Sequence, residues 1–211
     1  MPKAILFDLD GTLTDSGEGI INCAAIALEH FGITPPSREA MRVFVGPPLR
    51  DTFYRFGVPK ERLEEAVAVY RERYIPIGLF ENHPYPGIDS LLQELRARGH
   101  RLFVATSKPE WMANAVLDRF RLSQYFEIIA GSTMDGSREE KADVIAYLLT
   151  QVKDKWEAVM VGDTAFDVIG AAAHSIPTIG VSRGYGAAED LIRAGATAVA
   201  STAEELLTLL Q

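Results

Sequence analysis

The sequence predicts an α/β fold: a Rossmann-like core with a parallel sheet, interrupted after its first strand by an all-helical insertion. Three observations predict it. The short apolar run Ala4–Phe7 is typical of a buried parallel strand. Residues 16–80 then contain helical patterns without a convincing strand. From Pro86 onward, short apolar runs alternate with helical patterns, which is typical of βα units in a parallel sheet.

The insertion is predicted to consist of helices. Apolar residues at helical spacing follow Asp15 and end before Gly32, which reads as a helix stop. The further helices predicted in the insertion are residues 37–45, 49–56 and 60–75. We therefore place a core at residues 1–15 and 82–211 and a helical cap at residues 16–81.

The second part of the chain is predicted to alternate helix and strand. The predicted strands are residues 101–105, 126–130, 158–161, 178–181 and 198–200. The predicted helices are residues 88–98, 109–120, 139–152, 165–174 and 187–194. A last helix starts at Thr202, where Glu205 would complete a capping box.

The composition limits the classes of partner. The chain has 211 residues, of which 47% are hydrophobic and 24% charged, as in ordinary soluble proteins. A net charge of -8 argues against binding to a nucleic-acid backbone. The sequence shows no signal peptide and no apolar run of membrane-spanning length. We expect a cytoplasmic protein, a monomer or homodimer, that acts on a small molecule.

Two carboxylates one residue apart follow the first apolar run. The segment reads Phe7-Asp8-Leu9-Asp10-Gly11-Thr12. In an extended chain residues i and i+2 share a side, so Asp8 and Asp10 can address one small target. Gly11 lets the chain turn sharply beside a ligand. Ligands of open α/β sheets bind at the carboxyl ends of strands, so this is a candidate site; a plain Asp-Gly turn is the alternative.

Three downstream segments add polar groups at similar places. Thr106 lies between a strand and a helix, where a hydroxyl suits a phosphate oxygen, while Ser107 equally suits a helix N-cap. Lys141 lies at a helix start, where a solvated surface charge is the alternative. Asp163 ends a strand and Asp167 lies in the first turn of the next helix. Such acids can cap a helix or bind a hard cation.

These four segments, in this order and with a helical insertion after the first, resemble the haloacid dehalogenase (HAD) superfamily of phosphohydrolases. The resemblance implies Mg²⁺-dependent hydrolysis of a phosphate monoester through an aspartyl-phosphate. It makes Asp8 the nucleophile and a Mg²⁺ ligand. It makes Asp10 the general acid and base, with its backbone carbonyl on the metal, and it makes Asp163 the third metal ligand.

The resemblance also implies roles around the phosphate. Thr106 would hold a phosphoryl oxygen, and Lys141, positioned by Asp167, would offset negative charge. The residues implied to contact substrate are Gly11, Ser107, Lys108, Gly46 and Arg50. The last two belong to a segment that looks like the specificity loop of the family's caps, although a plain loop is the alternative. The segment 183–186 either borders the site or forms a plain turn.

Within the superfamily, a phosphatase of the phosphoglycolate phosphatase or 5'-nucleotidase type fits best. Asp10 argues against a dehalogenase, which does not need this acid. A sugar-phosphate mutase keeps Asp10 and stays open, as does a catalytically retired binding or regulatory protein on this fold. The segment Asp135–Lys141 lacks the proline usual in phosphoglycolate phosphatases and looks more like the nucleotidases. The sequence does not name the substrate.

Overall fold

The structure of the chain is a computed structural model that describes residues 2–152 and 156–211. It contains two compact units. The first comprises the chain up to Thr14 and again from Pro84 onward, and the second comprises Asp15–His83. Within the described ranges, no helix combines the length and the apolar character needed to cross a membrane.

A six-stranded sheet is the centre of the first unit. The strands of the described chain are β1 (Ala4–Phe7), β2 (Thr14–Asp15), β3 (His83–Pro84), β4 (Arg101–Pro109), β5 (Ile128–Ser132), β6 (Ala158–Gly162), β7 (Thr178–Val181) and β8 (Ala198–Ala200). The sheet has the order β5-β4-β1-β6-β7-β8, and all its pairs are parallel. β2 and β3 form a separate two-stranded sheet. The predicted parallel α/β core is confirmed.

Ten α-helices lie in the described ranges. They are α1 (Gly17–His30), α2 (Arg38–Met41), α3 (Leu49–Arg55), α4 (Leu63–Tyr74), α5 (Ile88–Ala97), α6 (Glu110–Arg119), α7 (Lys141–Gln151), α8 (Ala165–Ala172), α9 (Ala188–Ala194) and α10 (Ala203–Leu209). The first four belong to the second unit, which the sequence predicts as a helical insertion, and the other six alternate with strands in the first unit.

The sequence of the central strand β1 does not alternate between apolar and polar residues, and the burial of the strand explains why. All four of its side chains are buried. Helices on both faces of a parallel sheet leave no face for water, so each position must be apolar. On one face, Leu6 packs in a cluster with Phe103 of β4, Met160 of β6 and Ile145 of α7.

The second unit is held together by an aromatic core. The rings of Phe44 and Phe53 lie 5.1 Å apart at their centroids, and those of Tyr70 and Tyr74 lie 4.9 Å apart. Two of its predicted helices are shorter than expected. The predicted helix 37–45 tightens into a 3₁₀ turn at residues 42–44, and the predicted helix 60–75 begins as a 3₁₀ turn at 60–62. Short 3₁₀ turns at helix ends are common.

β4 is longer than predicted, and this correction concerns the site. The sequence predicts that the strand ends at Ala105, but it runs to Pro109 with a register shift against β5. A residue that precedes proline is disfavoured in the helical region and favours extended backbone. Lys108 therefore stays in the strand, and α6 begins at Glu110 rather than at Pro109.

Candidate active site

The carboxyl ends of three neighbouring strands gather the predicted residues of the core. Phe7, the last residue of β1, pairs with Val104 of β4 on one side and with Val161 of β6 on the other. The next residues along each strand therefore meet at one edge of the sheet. The backbone N–H of Asp8 extends this pairing by donating to the carbonyl of Val161 at 2.9 Å.

The loop after β1 turns back on itself at once. The carbonyl of Leu9 accepts from the N–H groups of Leu13 and Thr14 at 2.9 and 3.0 Å. Gly11 has a φ of +86°, in the left-handed region that favours glycine. A Cβ at this position would lie 2.2 Å from Oδ2 of Asp163, so the space at this turn also requires a residue without a side chain.

Lys141 is buried between two carboxylates. Its Nζ donates to Oδ1 of Asp8 at 2.7 Å and to the carbonyl of Ala105 at 2.9 Å, and lies 2.8 Å from Oδ1 of Asp167. Burial alone would lower the pKa of this lysine, but the charges of Asp167 and Asp8 outweigh it and raise the pKa. Lys141 therefore stays charged, and it is a site group rather than a solvated surface charge.

Asp8, Asp163 and Asp167 form a buried acidic cluster. One carboxylate oxygen from each lies within 4.8 Å of the others. Burial raises the pKa of Asp8 to about 6, with the charge of Lys141 opposing and that of Asp167 adding to the rise. Burial, and then the charges of Asp167 and Asp8, raise the pKa of Asp163 well above its usual range. The ionised cluster is thus destabilised as it stands.

The cluster fits a divalent cation. The side-chain atoms that the cluster offers to a metal are all carboxylate oxygens, the ligands that hard cations such as Mg²⁺ prefer. The ammonium of Lys141 contacts two of the three carboxylates, those of Asp8 and Asp167, so an added positive charge would relieve the repulsion within the cluster. All three carboxylates already have hydrogen-bond or ion-pair partners, so the expectation that Asp8 and Asp163 hold the cation stays a prediction.

Asp167 serves two neighbours with its two oxygens. Its Oδ2 accepts from the backbone N–H of Thr164 at 3.0 Å and from the Thr164 hydroxyl at 2.9 Å, which forms a capping box at the start of α8. Its Oδ1 lies 2.8 Å from Nζ of Lys141. The helix cap that the sequence offers and the contact with Lys141 that the resemblance implies occur together in this geometry.

A turn that the sequence left open borders Asp163 closely. The backbone N–H of Tyr185 donates to Oδ2 of Asp163 at 2.8 Å, and the Thr12 hydroxyl donates to Oδ1 at 3.3 Å. A Cβ on Gly184 would lie 2.3 Å from Asp163 Oδ2, and one on Gly186 would lie 2.1 Å from the Asp163 carbonyl. Two glycines that flank one residue, shortly after the end of β7, are the sequence signal for this role.

Lys108 and Thr106 belong to the extended part of β4. Nζ of Lys108 donates to Oδ2 of Asp10 at 2.8 Å. The backbone N–H of Lys108 donates to the Thr106 hydroxyl at 3.2 Å, which orients this hydroxyl within the strand. Both residues are buried, and Ser107 between them is half-buried. The structure thus brings Asp10 and Lys108 together, and contact of Ser107 or Lys108 with substrate stays a prediction.

The two predicted cap residues lie in the second unit. Gly46 adopts a φ of +102°, in the left-handed region. Arg50, at the start of α3, forms an ion pair with Glu64 of α4, with Nη2 donating to Oε2 at 3.0 Å. Contact of either residue with substrate stays a prediction.

Comparison with known proteins identifies relatives over nearly the whole chain. Residues 5–181 match the family model described as haloacid dehalogenase-like hydrolase. The tyrosine-protein kinase PtkA of Mycobacterium tuberculosis is 45% identical over 208 residues, which are 97% of this chain and 71% of that protein. A 5'-nucleotidase of Pseudomonas aeruginosa is 42% identical over 189 residues, with coverage of 89% and 86%. A crystal structure of a predicted phosphatase from Clostridium acetobutylicum matches with a TM-score of 0.94 and 39% identity, covering 100% of this chain and 99% of that one.

Proposed function

Because the chain belongs to the haloacid dehalogenase-like hydrolase family and is a phosphatase of that family, we propose that it hydrolyses a small phosphate monoester through an aspartyl-phosphate on Asp8, with Mg²⁺ as cofactor. One observation carries the proposal. Asp8 lies buried at the end of the central strand, next to a charged lysine and within 4.8 Å of two further carboxylates. A carboxylate in this setting can attack phosphorus while its neighbours balance charge.

The residues divide the reaction into two steps. An Asp8 oxygen forms a bond to phosphorus as the bond to the leaving oxygen breaks, and Asp10 gives its proton to that oxygen. Water then attacks the aspartyl-phosphate, Asp10 takes the proton of the water, and the Asp8 carboxylate is released with inorganic phosphate. The alcohol leaves after the first step, and Asp10 ends the cycle protonated as it began.

Cations and hydroxyls hold the transferring group. Lys141 offsets the charge of Asp8 and of the phosphoryl oxygens, and the Thr106 hydroxyl donates to one of those oxygens. Asp8, Asp163 and the backbone carbonyl of Asp10 would hold Mg²⁺, which would neutralise charge between the carboxylates and the phosphate. Tyr185 and Thr12 hydrogen-bond Asp163 and so keep it in place.

The proposed substrate is a small phosphorylated metabolite of the nucleotide or phosphoglycolate type. The similarity to a 5'-nucleotidase and the proline-free segment that leads to Lys141 favour a nucleotide. The helical insertion would select the leaving group, since Gly46 and Arg50 are its proposed contacts.

Phosphate release from a panel of esters tests the function. Purified protein freed of metal is assayed with and without millimolar Mg²⁺ on p-nitrophenyl phosphate, phosphoglycolate, sugar phosphates and nucleoside 5'-monophosphates. We expect Mg²⁺-dependent release that Asp8→Asn lowers at least a thousandfold, because an amide does not attack phosphorus. Asp118→Asn, on the exposed face of α6, is the matched control and should act like wild type. If Asp8→Asn keeps a tenth of the wild-type kcat, with deamidation excluded by mass spectrometry, the assignment of Asp8 as the nucleophile is contradicted.

A second candidate is transfer of the phosphoryl group to a hydroxyl instead of water. The 45% identity with a protein named a tyrosine kinase favours it, and a mutase would share this second step. Labelled ATP and a tyrosine-containing polymer, incubated with the protein and Mg²⁺, separate the two outcomes. Labelled phosphotyrosine that Asp8→Asn abolishes supports transfer to the hydroxyl. Label found only in inorganic phosphate supports hydrolysis. Absence of any turnover on esters or ATP would instead support a retired, binding-only protein.

A further inference from the structure

Lys108 is a lysine with almost no access to water, and its charge is directed at one carboxylate of the site. Its Nζ lies 2.8 Å from Oδ2 of Asp10, and the two side chains are 4% and 13% exposed. Lysine is among the residues least often fully buried unless it is paired. Burial of this ammonium against Asp10 therefore points to a specific task.

The backbone of β4 puts Lys108 in this place. The strand continues past Ala105 with a register shift, and Pro109 keeps the preceding residue extended. The N–H of Lys108 is fixed on the hydroxyl of Thr106 at 3.2 Å. The position of the ammonium is thus set by the same strand extension that places Thr106, and not by a mobile surface side chain.

The two oxygens of Asp10 have different surroundings. Oδ2 accepts from Lys108, whereas Oδ1 is buried and has no hydrogen-bond partner among the residues that the structure describes. A buried acceptor without a partner costs free energy, so such atoms usually have a task that supplies one. Oδ2 is thus held by Lys108, and the hydrogen-bonding capacity of Oδ1 is unused by the described residues.

We propose that Lys108 is a positioning residue that holds Asp10 by Oδ2, so that Oδ1 is the oxygen that exchanges the proton with substrate and water. This rests on the proposed function. In the first step Oδ1 gives its proton to the leaving oxygen, and in the second it takes one from the attacking water. Oδ2 can accept from Lys108 whether or not Oδ1 is protonated, so the anchor persists through the cycle.

Two esters without a second anionic group test the proposal and separate it from a role in substrate binding. Phenyl phosphate has a poor leaving group that needs the proton of Asp10, and p-nitrophenyl phosphate needs it much less. The rate of aspartyl-phosphate formation is measured in single turnovers. We expect Lys108→Met to slow this step about 10- to 100-fold more for phenyl phosphate than for p-nitrophenyl phosphate, with little change in KM. Lys108→Arg, which keeps a donor, should recover part of the loss.

Three variants complete the experiment. Arg101→Met removes an ion pair with Glu127 from the opposite end of β4 and should leave both rates unchanged. In an Asp10→Asn background, Lys108→Met should add no further loss, because the residue acts through Asp10. This double variant also removes both charges of the buried pair, so it serves if Lys108→Met alone does not fold.

The outcomes are distinct. Equal losses for the two esters, no loss for either, an effect on KM alone, or additive losses in the double variant each overturn the assignment of Lys108. If wild type hydrolyses neither ester, the proposed function fails and the assignment of Lys108 fails with it. If wild type hydrolyses the esters normally but the variants give any of the first four results, the assignment of Lys108 is overturned and the proposed function stands.

Discussion

Replacing Asp8 by asparagine should make the metal-free protein more stable at neutral pH. Burial raises the pKa of Asp8 from 3.8 to about 6 in the folded chain. Between these two values the folded protein holds a proton that the unfolded chain has lost, so the contribution of this carboxyl to the free energy of unfolding falls as pH rises. Below the window both states are protonated, and above it both are ionised.

The magnitude follows from the two values. A pKa change from 3.8 to about 6 corresponds to about 3 kcal/mol, at 1.36 kcal/mol for each pKa unit. Solvent screening takes away little of it, because the Asp8 side chain is only 11% exposed. For a chain of this size about 3 kcal/mol corresponds to roughly 6–12 °C in Tm. This value already includes the repulsion from Asp167, which is one of the causes of the raised pKa of Asp8.

The assay is urea unfolding in excess chelator from pH 4 to pH 7, for wild type and Asp8→Asn. The difference between their free energies of unfolding isolates the contribution of Asp8. The surface carboxylates whose pKa values are lowered make both proteins more stable as pH rises, and their contribution cancels in this difference. We expect the variant to gain about 3 kcal/mol over wild type between the two ends of the range. A difference that is constant with pH, or that favours wild type as pH rises, refutes the reasoning. Asp118→Asn should show no such trend.

Three further predictions concern the cation and the cap. Mg²⁺ at about 100 times its Kd should raise the free energy of unfolding by about 2.7 kcal/mol and the Tm by roughly 5–10 °C, relative to NaCl at matched ionic strength. Asp163→Ala should lose most of this rise, and an unchanged rise would place the metal elsewhere. Gly184→Ala puts a Cβ 2.3 Å from Asp163 Oδ2, so titration calorimetry should show Mg²⁺ binding weakened about tenfold or more; wild-type affinity would speak against the close packing. Arg50→Ala should lower kcat/KM more for the physiological substrate than for p-nitrophenyl phosphate, and similar losses for both would exclude a role of Arg50 in specificity. The control is Glu64→Gln, which weakens the ion pair between Arg50 and Glu64 but keeps Arg50.

The sequence is most informative where function and local structure share one segment. An apolar run followed by Asp8 and Asp10 predicts both the strand and the place of the acids, because the carboxyl end of a parallel strand is where open sheets bind ligands. Helix and strand periodicity likewise predicts the α/β order, because the two repeats differ strongly. These inferences need no knowledge of distant contacts.

Other features depend on contacts between distant parts of the chain. The pairing of Lys108 with Asp10 requires the register of β4 against β1, and the packing of Gly184 on Asp163 requires a turn after β7 to reach a residue after β6. No local pattern contains these distances. The extension of β4 was predictable in part, since Pro109 favours an extended Lys108, but its register shift against β5 was not.

The place of β1 in the sheet sets an order on how the chain reaches its folded form. Ala4 pairs with Arg101 on one side and with Ala158 on the other, so the central strand finds its neighbours only after most of the chain exists. At about 5–20 residues per second, a ribosome makes β1 many seconds before β6. During that time the apolar strand and its two acids have no sheet to join. The strand that leads to the nucleophile is made before both of its neighbours and is fully paired only once β6 exists, so chaperone demand should concentrate on this interval.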